Sequence, residues 1–220
     1  MSFATRLVVA SRNPAKAREI AEILAEEGLS VEVVSLADLA DVELPPETGL
    51  TFAANAAAKA QQVCRTTGLP AIADDSGLEV DALGGEPGIR SARYAGEEAS
   101  DEDRLRKLLD LMAEAPDRLR RARFRCAAAY ADPEGSAMLA EGTCQGRIAR
   151  EPAGSGGFGY DPVFVPDGYT VTMAQLTAEQ KHRISHRGRA LRLLARMIRE
   201  QCTGKADQGD ATPPGQAGAN

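Results

Sequence analysis

Residues Leu7-Val8-Val9-Ala10-Ser11-Arg12-Asn13-Pro14-Ala15-Lys16 decide the class of fold. The apolar run Leu7 to Ala10, bounded by polar residues, reads as a short buried strand. Asn13 then suits a helix N-cap. Pro14 suits the first helical position, where its missing N–H would have had no partner anyway. Ala17, Ile20, Ala21, Ile23 and Leu24 recur at helical spacing and give the following helix one apolar face as far as Gly28. A buried strand that passes directly into a capped helix opens an α/β unit.

Working outward, Val31 to Ser35 is a second strand, and Leu36 to Pro46 is acidic and irregular. Thr51 caps a helix from Phe52 to about Thr67, which Gly68 and Pro70 stop. Ala71-Ile72-Ala73 is another short apolar strand, ending at Asp74-Asp75-Ser76-Gly77. Residues 84–96 read as loop, and 100–115 as a helix whose Asp101, Glu102 and Asp103 complement its dipole. Strands at 123–131 and 137–150 flank the turn Asp132-Pro133-Glu134-Gly135 and form a hairpin. A glycine loop at 154–159, a strand at 163–165, a short helix capped by Thr177 and a helix from Ser185 to about Gln201 complete the pattern. The expected fold is α/β, a mixed sheet flanked by helices. Residues 1–202 form one domain, and 203–220 read as a disordered tail.

Composition excludes several function classes. The chain has 220 residues, 43% hydrophobic and 26% charged, which is the profile of a globular domain. Its charge of −6 disfavours sequence-independent binding to nucleic acid, which depends on neutralising phosphates. No apolar run approaches the ~20 residues needed to span a membrane, and no signal peptide is evident. Cys64, Cys126, Cys144 and Cys202 form no CxxC pair and read as reduced thiols. A soluble cytoplasmic protein is expected.

Five clusters could carry chemistry. Lys16 in a first helical turn opposes the helix dipole, but it suits a helix that holds a phosphate. Glu47 precedes a stripe of Thr51, Asn55 and Lys59 at i, i+4 spacing, a cation beside a carboxylate. Asp74 and Asp75 end a core strand, where hard carboxylates suit Mg²⁺ and a triphosphate. On an extended chain the two point to opposite sides. Each cluster has a plain alternative: a capped helix with a solvated lysine, a solvated helix face, a solvated turn. Gly154-Ser155-Gly156-Gly157-Phe158-Gly159 matches GxGxxG, but a strand follows it, so a dinucleotide fingerprint is rejected. A flexible loop carrying Phe158 and Tyr160 suits stacking on a flat base. His182 and His186 have zinc spacing, but Ser185 reads as a new cap between them and HExxH is absent. Lys181 to Arg187 reads better as a cationic reader of a phosphate or purine edge.

Taken in order, these segments resemble the inosine triphosphate pyrophosphatase family, the bacterial dITP/XTP pyrophosphatases. The resemblance runs from about Leu7 to Arg199. It rests on residues 11–16, on Pro46 to Phe52 with Asn55 and Lys59, and on Ala73 to Leu78. Pro87 to Tyr94, Gly157 to Pro162, and Lys181 through Arg187 extend it. It implies an elongated two-lobed fold with the site between the lobes, a homodimer, and Mg²⁺-dependent hydrolysis of a purine triphosphate to monophosphate and pyrophosphate. Carried over by position, the segment Ser11, Arg12, Asn13, Pro14, Ala15 and Lys16 would hold phosphates. Glu47 and Asp75 would hold Mg²⁺, with Asp74 as helper. Asp75 would activate water, Lys59 would neutralise charge, and Ser76 would touch substrate. Phe158, Gly159, Tyr160, Asp161, Lys181, His186 and Arg187 would form the base pocket. Gln175 and Gln180 replace acids common in the family, and His182 replaces Asn; these are expected to tune edges, not chemistry. Three other readings stay open: a pyrophosphatase for another modified base, a regulator that binds without hydrolysing, and a phosphatase releasing orthophosphate.

Overall fold

A computed structural model of the chain describes residues 6–39 and 42–207. One six-stranded sheet has the order β2-β1-β3-β4-β5-β6. β1 (Arg6–Val9) lies parallel to β2 (Glu32–Ser35) and to β3 (Ala71–Val80). β4 (Arg121–Ala131), β5 (Ala137–Ile148) and β6 (Phe164–Pro166) continue the sheet antiparallel. This is the mixed α/β sheet the sequence implies.

Strand alternation sorts the core onto two faces. Leu7, Val9, Ile72, Ala128 and Tyr130 face α1 (Pro14–Glu26) and α5 (His186–Asp207), which bring Ile20, Ile23, Leu24, Leu191 and Leu194. Val8, Ala71, Ala73, Ala127 and Ala129 face α2 (Phe52–Thr67), which brings Ala56 and Ala60. Alanine meets alanine on this second face, so α2 lies close enough for its polar side chains to reach β3. A third cluster joins Leu78, Val80, Phe124, Ile148 and Phe164 to Leu108 and Met112. Leu108 lies in α3 (Asp101–Leu111), and Met112 is the residue that caps it.

Local signals explain the element ends. Thr51 accepts from the Ala54 amide at 3.1 Å, and Gly68 closes α2 in the left-handed conformation at φ 66°. Ser100 and Asp103 form a reciprocal capping box on α3. The two glutamines that depart from the family pattern do the same work. Gln175 caps with Thr172, and Gln180 caps with Thr177 at the start of α4 (Ala178–Ile184). A capping box accepts Glu or Gln alike, because only the side-chain carbonyl oxygen is needed.

Most element ends fall within two residues of expectation, and three differ by more. α3 ends at Leu111, earlier than residue 115. α5 runs to Asp207, past the domain boundary placed at 202; residues 208–220 of the expected tail lie outside the described residues. The largest correction concerns β3, which does not stop at Ala73. Asp74, Asp75, Ser76 and Gly77 are strand residues paired with Ala128, Ala127, Cys126 and Arg125 of β4. Cys64, Cys126 and Cys144 are free, buried thiols, and the Cys202 side chain lies outside the described part. Among the described residues no helix is long and apolar enough to cross a membrane.

Candidate active site

β1 pairs with β3 only at Val8–Ala71 and Val9–Ile72. Beyond that point β1 turns into α1 while β3 continues, which opens a crevice at the carboxyl end of β1. Ligands of open α/β sheets bind in such crevices. Asp74 and Asp75 lie on β3 just where its edge becomes free of β1.

The two carboxylates face opposite ways. Asp74 shares its face with Ile72. Its side chain is 2% exposed and meets Lys16 Nζ at 3.2 Å and Arg187 Nε at 3.0 Å. Ser76 Oγ donates to Asp74 Oδ2 at 3.1 Å. Burial alone would raise this carboxyl, but Lys16 and Arg187 outweigh it and hold Asp74 well below the usual carboxylate range. Arg187 reaches on to Glu19 Oε2 at 2.9 Å, so one guanidinium is fixed between two acids. His186 stacks on Phe124 with ring centroids 4.7 Å apart. Its Nδ1 is buried without a hydrogen-bond partner among the described residues. Burial, reinforced by Arg187, pushes its pKa well below 6.5, so the imidazole is neutral at pH 7.

Asp75 points toward α2. Lys59 Nζ lies 3.1 Å from Asp75 Oδ1 and 2.9 Å from Glu47 Oε1, and Asn55 Nδ2 donates to Asp75 Oδ2 at 2.9 Å. Two members of the stripe are therefore buried and not solvated, Asn55 at 3% and Lys59 at 6% exposed, while Thr51 at the helix cap stays exposed. Burial lowers Lys59, but the two carboxylates more than reverse it and keep the ammonium protonated. One ammonium shared between two acids leaves Asp75 raised above the usual range, by burial first and then by the Glu47 charge. Glu47 itself is lowered, because Lys59 and Arg93 outweigh its burial. Arg93 Nη1 and Nη2 each lie 3.4 Å from Glu47, one from Oε2 and one from its backbone carbonyl.

A cleft of about 240 Å³ lies beside these clusters. It is lined by Asn13, Lys16, Ser76, Phe158, Gly159, Tyr160, Asp161, Lys181, His186 and Arg187, so the structure brings these sequence-predicted residues together. Ser11, Arg12 and Pro14 do not line it, and the Ala15 side chain lies outside the described part. Ser11 Oγ accepts from the Asn13 amide at 3.2 Å and shapes the turn into α1, and Arg12 reaches away to the Val42 carbonyl. Glu47, Lys59 and Asp75 do not line it either, but form the ion cluster on the other face of β3. His182 and His186 fall on different helices, and no cluster of three or more His, Cys, Asp or Glu side chains forms a metal site among the described residues.

At the other end of the cleft, Asp161 Oδ2 accepts from Lys181 Nζ at 2.6 Å and from the Phe158 amide at 2.9 Å. A Cβ at Gly157 would overlap that carboxylate, so only glycine fits there. Lys181 and Arg187 lie over the Phe158 ring at 4.7 and 5.3 Å from its centroid. Tyr160 is buried and donates to the Ser91 carbonyl at 3.0 Å, so it anchors the loop, while half-exposed Phe158 offers its ring to the cleft. Sequence reasoning missed Glu19, Arg93 and Asp101. Arg93 lies within the family-like segment 87–94. Glu19 stands three residues after Lys16 on the same side of α1, a polar pair on an inward face.

A divalent hard cation suits the Glu47–Asp75 pair. Both offer carboxylate oxygens, and Asp75 shares its one cation, Lys59, with Glu47, which Arg93 also reaches.

Comparison with known proteins gives these features a family. Residues 7–197 match the model of the Ham1 family. A dITP/XTP pyrophosphatase of Yersinia pestis is 50% identical over 199 residues, covering 89% of this chain and 98% of that protein. A protein of the same name from Streptomyces coelicolor is 49% identical over 196 residues, covering 89% and 98%. Among solved structures, a HAM1 protein from Coxiella burnetii superposes with a TM-score of 0.80 at 40% identity, covering 89% of this chain and 98% of that one. With the family model spanning nearly the whole domain and half the residues shared with full-length relatives, the chain belongs to the Ham1 family.

Proposed function

We propose that this protein hydrolyses deaminated purine nucleoside triphosphates, dITP, ITP and XTP, to the monophosphate and pyrophosphate. It is an enzyme of the nucleoside triphosphate pyrophosphatase class, as its relatives are. The observation that carries the reading is the buried Asp75 carboxylate, fixed by Asn55 and Lys59 beside a cleft lined by Lys16, Lys181, Arg187 and the Phe158 ring. Asn13 and Lys16 at the start of α1 receive phosphate oxygens, aided by the positive end of the helix dipole. The Phe158 ring stacks on the base. Asp75 takes the proton of the water that attacks the α-phosphorus, and Asn55 and Lys59 hold its carboxylate in place to do so. Lys59 holds Asp75 and Glu47 in register and offsets phosphate charge.

Mg²⁺ is the proposed cofactor, with Glu47 and Asp75 as its protein ligands. When bound, it would offset the charge that develops on the phosphate oxygens as pyrophosphate leaves. Lys181 and Arg187 supply donors for the O6 acceptor of a 6-oxo purine. An adenine 6-amino group would leave such donors unpaired, which is a strong ground for rejection. The biological role follows: clearing deaminated purines from the cytoplasmic nucleotide pool before they enter DNA or RNA. A homodimer rests on the family resemblance alone.

Product analysis with Mg²⁺ on dITP, XTP, dATP, dGTP and dTTP tests the reading. Pyrophosphate release with dITP and XTP strongly favoured is the expected result. Orthophosphate would make the protein a phosphatase, and tight binding without turnover would make it a regulator. A preference for another base would move the proposal to that substrate.

A further inference from the structure

The loop between β5 and β6 has to hold Phe158 over the cleft, yet it is rich in backbone freedom. Gly154, Gly157 and Gly159 all take positive φ, at 83°, 76° and 62°. Fixing glycine costs more conformational entropy than fixing any other residue. The loop's amides show how it is held. The Gly156 N–H donates to the Ala174 carbonyl at 3.0 Å, and the Phe158 N–H donates to Asp161 within the loop's own turn. The Gly159 N–H leaves the neighbourhood altogether. It crosses the cleft to α3 and donates to Asp101 Oδ2 at 2.8 Å.

Asp101 is itself braced. Its Oδ1 accepts from Arg104 Nη2, and Arg104 Nη1 is fixed on the Ala92 and Ala99 carbonyls at 2.6 and 2.8 Å. Asp101 and Arg104 line the same cleft as Phe158 and Gly159. An acid in the first turn of α3 also favours the helix dipole. That role needs a charge at this position, but it does not need an oxygen placed on an amide 58 residues along the chain.

We propose, resting on the nucleotide reading above, that Asp101 is a positioning residue for base binding. Its carboxylate latches the Gly159 amide and holds the Phe158 ring in place before substrate arrives. A charge-assisted N–H···O⁻ bond of this geometry is among the stronger single contacts available to a loop. Preorganising the loop removes an ordering cost from binding, so the effect falls on KM and not on the chemical step.

The test compares Asp101→Ala with Asp101→Asn in the full chain. The amide oxygen of the asparagine variant still accepts from Gly159, but it carries no charge. Two readouts are taken: steady-state hydrolysis of ITP with Mg²⁺, and hydrogen exchange of segment 156–161 without nucleotide. The expected result for Asp101→Ala is a KM raised roughly five- to tenfold with kcat within about twofold, and faster exchange in 156–161. Asp101→Asn should restore both. An unchanged KM and unchanged exchange in the alanine variant would overturn the proposal. So would an asparagine variant that behaves like alanine, since the charge at the helix start would then be what matters. The exchange arm needs no turnover. If the wild type fails to hydrolyse ITP, the functional reading fails while the latch is still decided.

Discussion

On one face of β3, Asp74 lies between Lys16 and Arg187 with its side chain 2% exposed; one residue along, on the other face, Asp75 is 11% exposed and shares Lys59 with Glu47. The first has more cations than it needs and is held far into its ionised form. The second has less than one to itself and is raised. Strand alternation alone puts adjacent residues in such different surroundings. The difference assigns work: a carboxylate locked by two cations holds structure together, whereas one that shares its only cation can accept a proton or join a metal. Two acids that look interchangeable in sequence should therefore fail in different ways when changed.

Asp75→Asn gives the largest expected effect. Removing the proton acceptor should lower kcat by roughly 10²–10⁴-fold. The amide oxygen introduced at this position can still accept from Asn55, and Lys59 keeps Glu47, so the protein should still fold, with a urea midpoint lowered less than in Asp74→Asn. Turnover close to wild type would remove Asp75 from the mechanism and erase the contrast between the two faces. Asp74→Asn comes next and should act on stability instead. It leaves Arg187, only 3% exposed, with Glu19 alone, and it strips Lys16 of its partner. Breaking a buried pair from one side costs about 3–5 kcal/mol. Urea denaturation reads this directly, and a loss below ~1 kcal/mol would show that the Asp74 face is not a structural brace.

The same contrast shows what was legible in the sequence. α2 is legible to the residue, because Thr51, Gly68 and Pro70 act within a turn of its ends. The strand-to-helix opening and the central hairpin are equally local. β3 reads short because Asp-Asp-Ser-Gly favours a turn on local chemistry. What makes it a strand lies far off. Asp74 is neutralised by Lys16 and Arg187, 58 and 113 residues away, and β4 supplies the pairing. The burial of Asn55 and Lys59 has the same origin, since their partner Asp75 lies on another element. The cleft residues after Gly157 were legible as a group from the family resemblance. Glu19 and Asp101 were not, because an acid on a helix reads as solvated until the fold brings Arg187 or the Gly159 amide to it.

The smallest expected effect sharpens the Asp74 face. His186 belongs to it, packed on Phe124 and beside Arg187, and burial holds it neutral with a pKa well below 6.5. The unfolded chain protonates this imidazole near pH 6.5 and the folded chain does not. Below that pH the unfolded state binds the extra proton, so stability falls as the solution is acidified. The limiting slope for one group is about 1.4 kcal/mol per pH unit. Asp74 works with the same sign but in a lower window. Its folded pKa is depressed, so its contribution is complete above the unfolded carboxylate value of about 3.9 and is lost only as pH drops through that range. Asp75, raised in the folded state, works with the opposite sign, so the part of the slope due to His186 is the difference between the wild type and a variant lacking the imidazole. On acidification between about pH 6.5 and 4.5, urea midpoints should decline more for the wild type than for His186→Gln. Equal slopes in both proteins would mean that the imidazole takes up its proton in place, and that the face behind Asp74 tolerates a third cation beside Lys16 and Arg187.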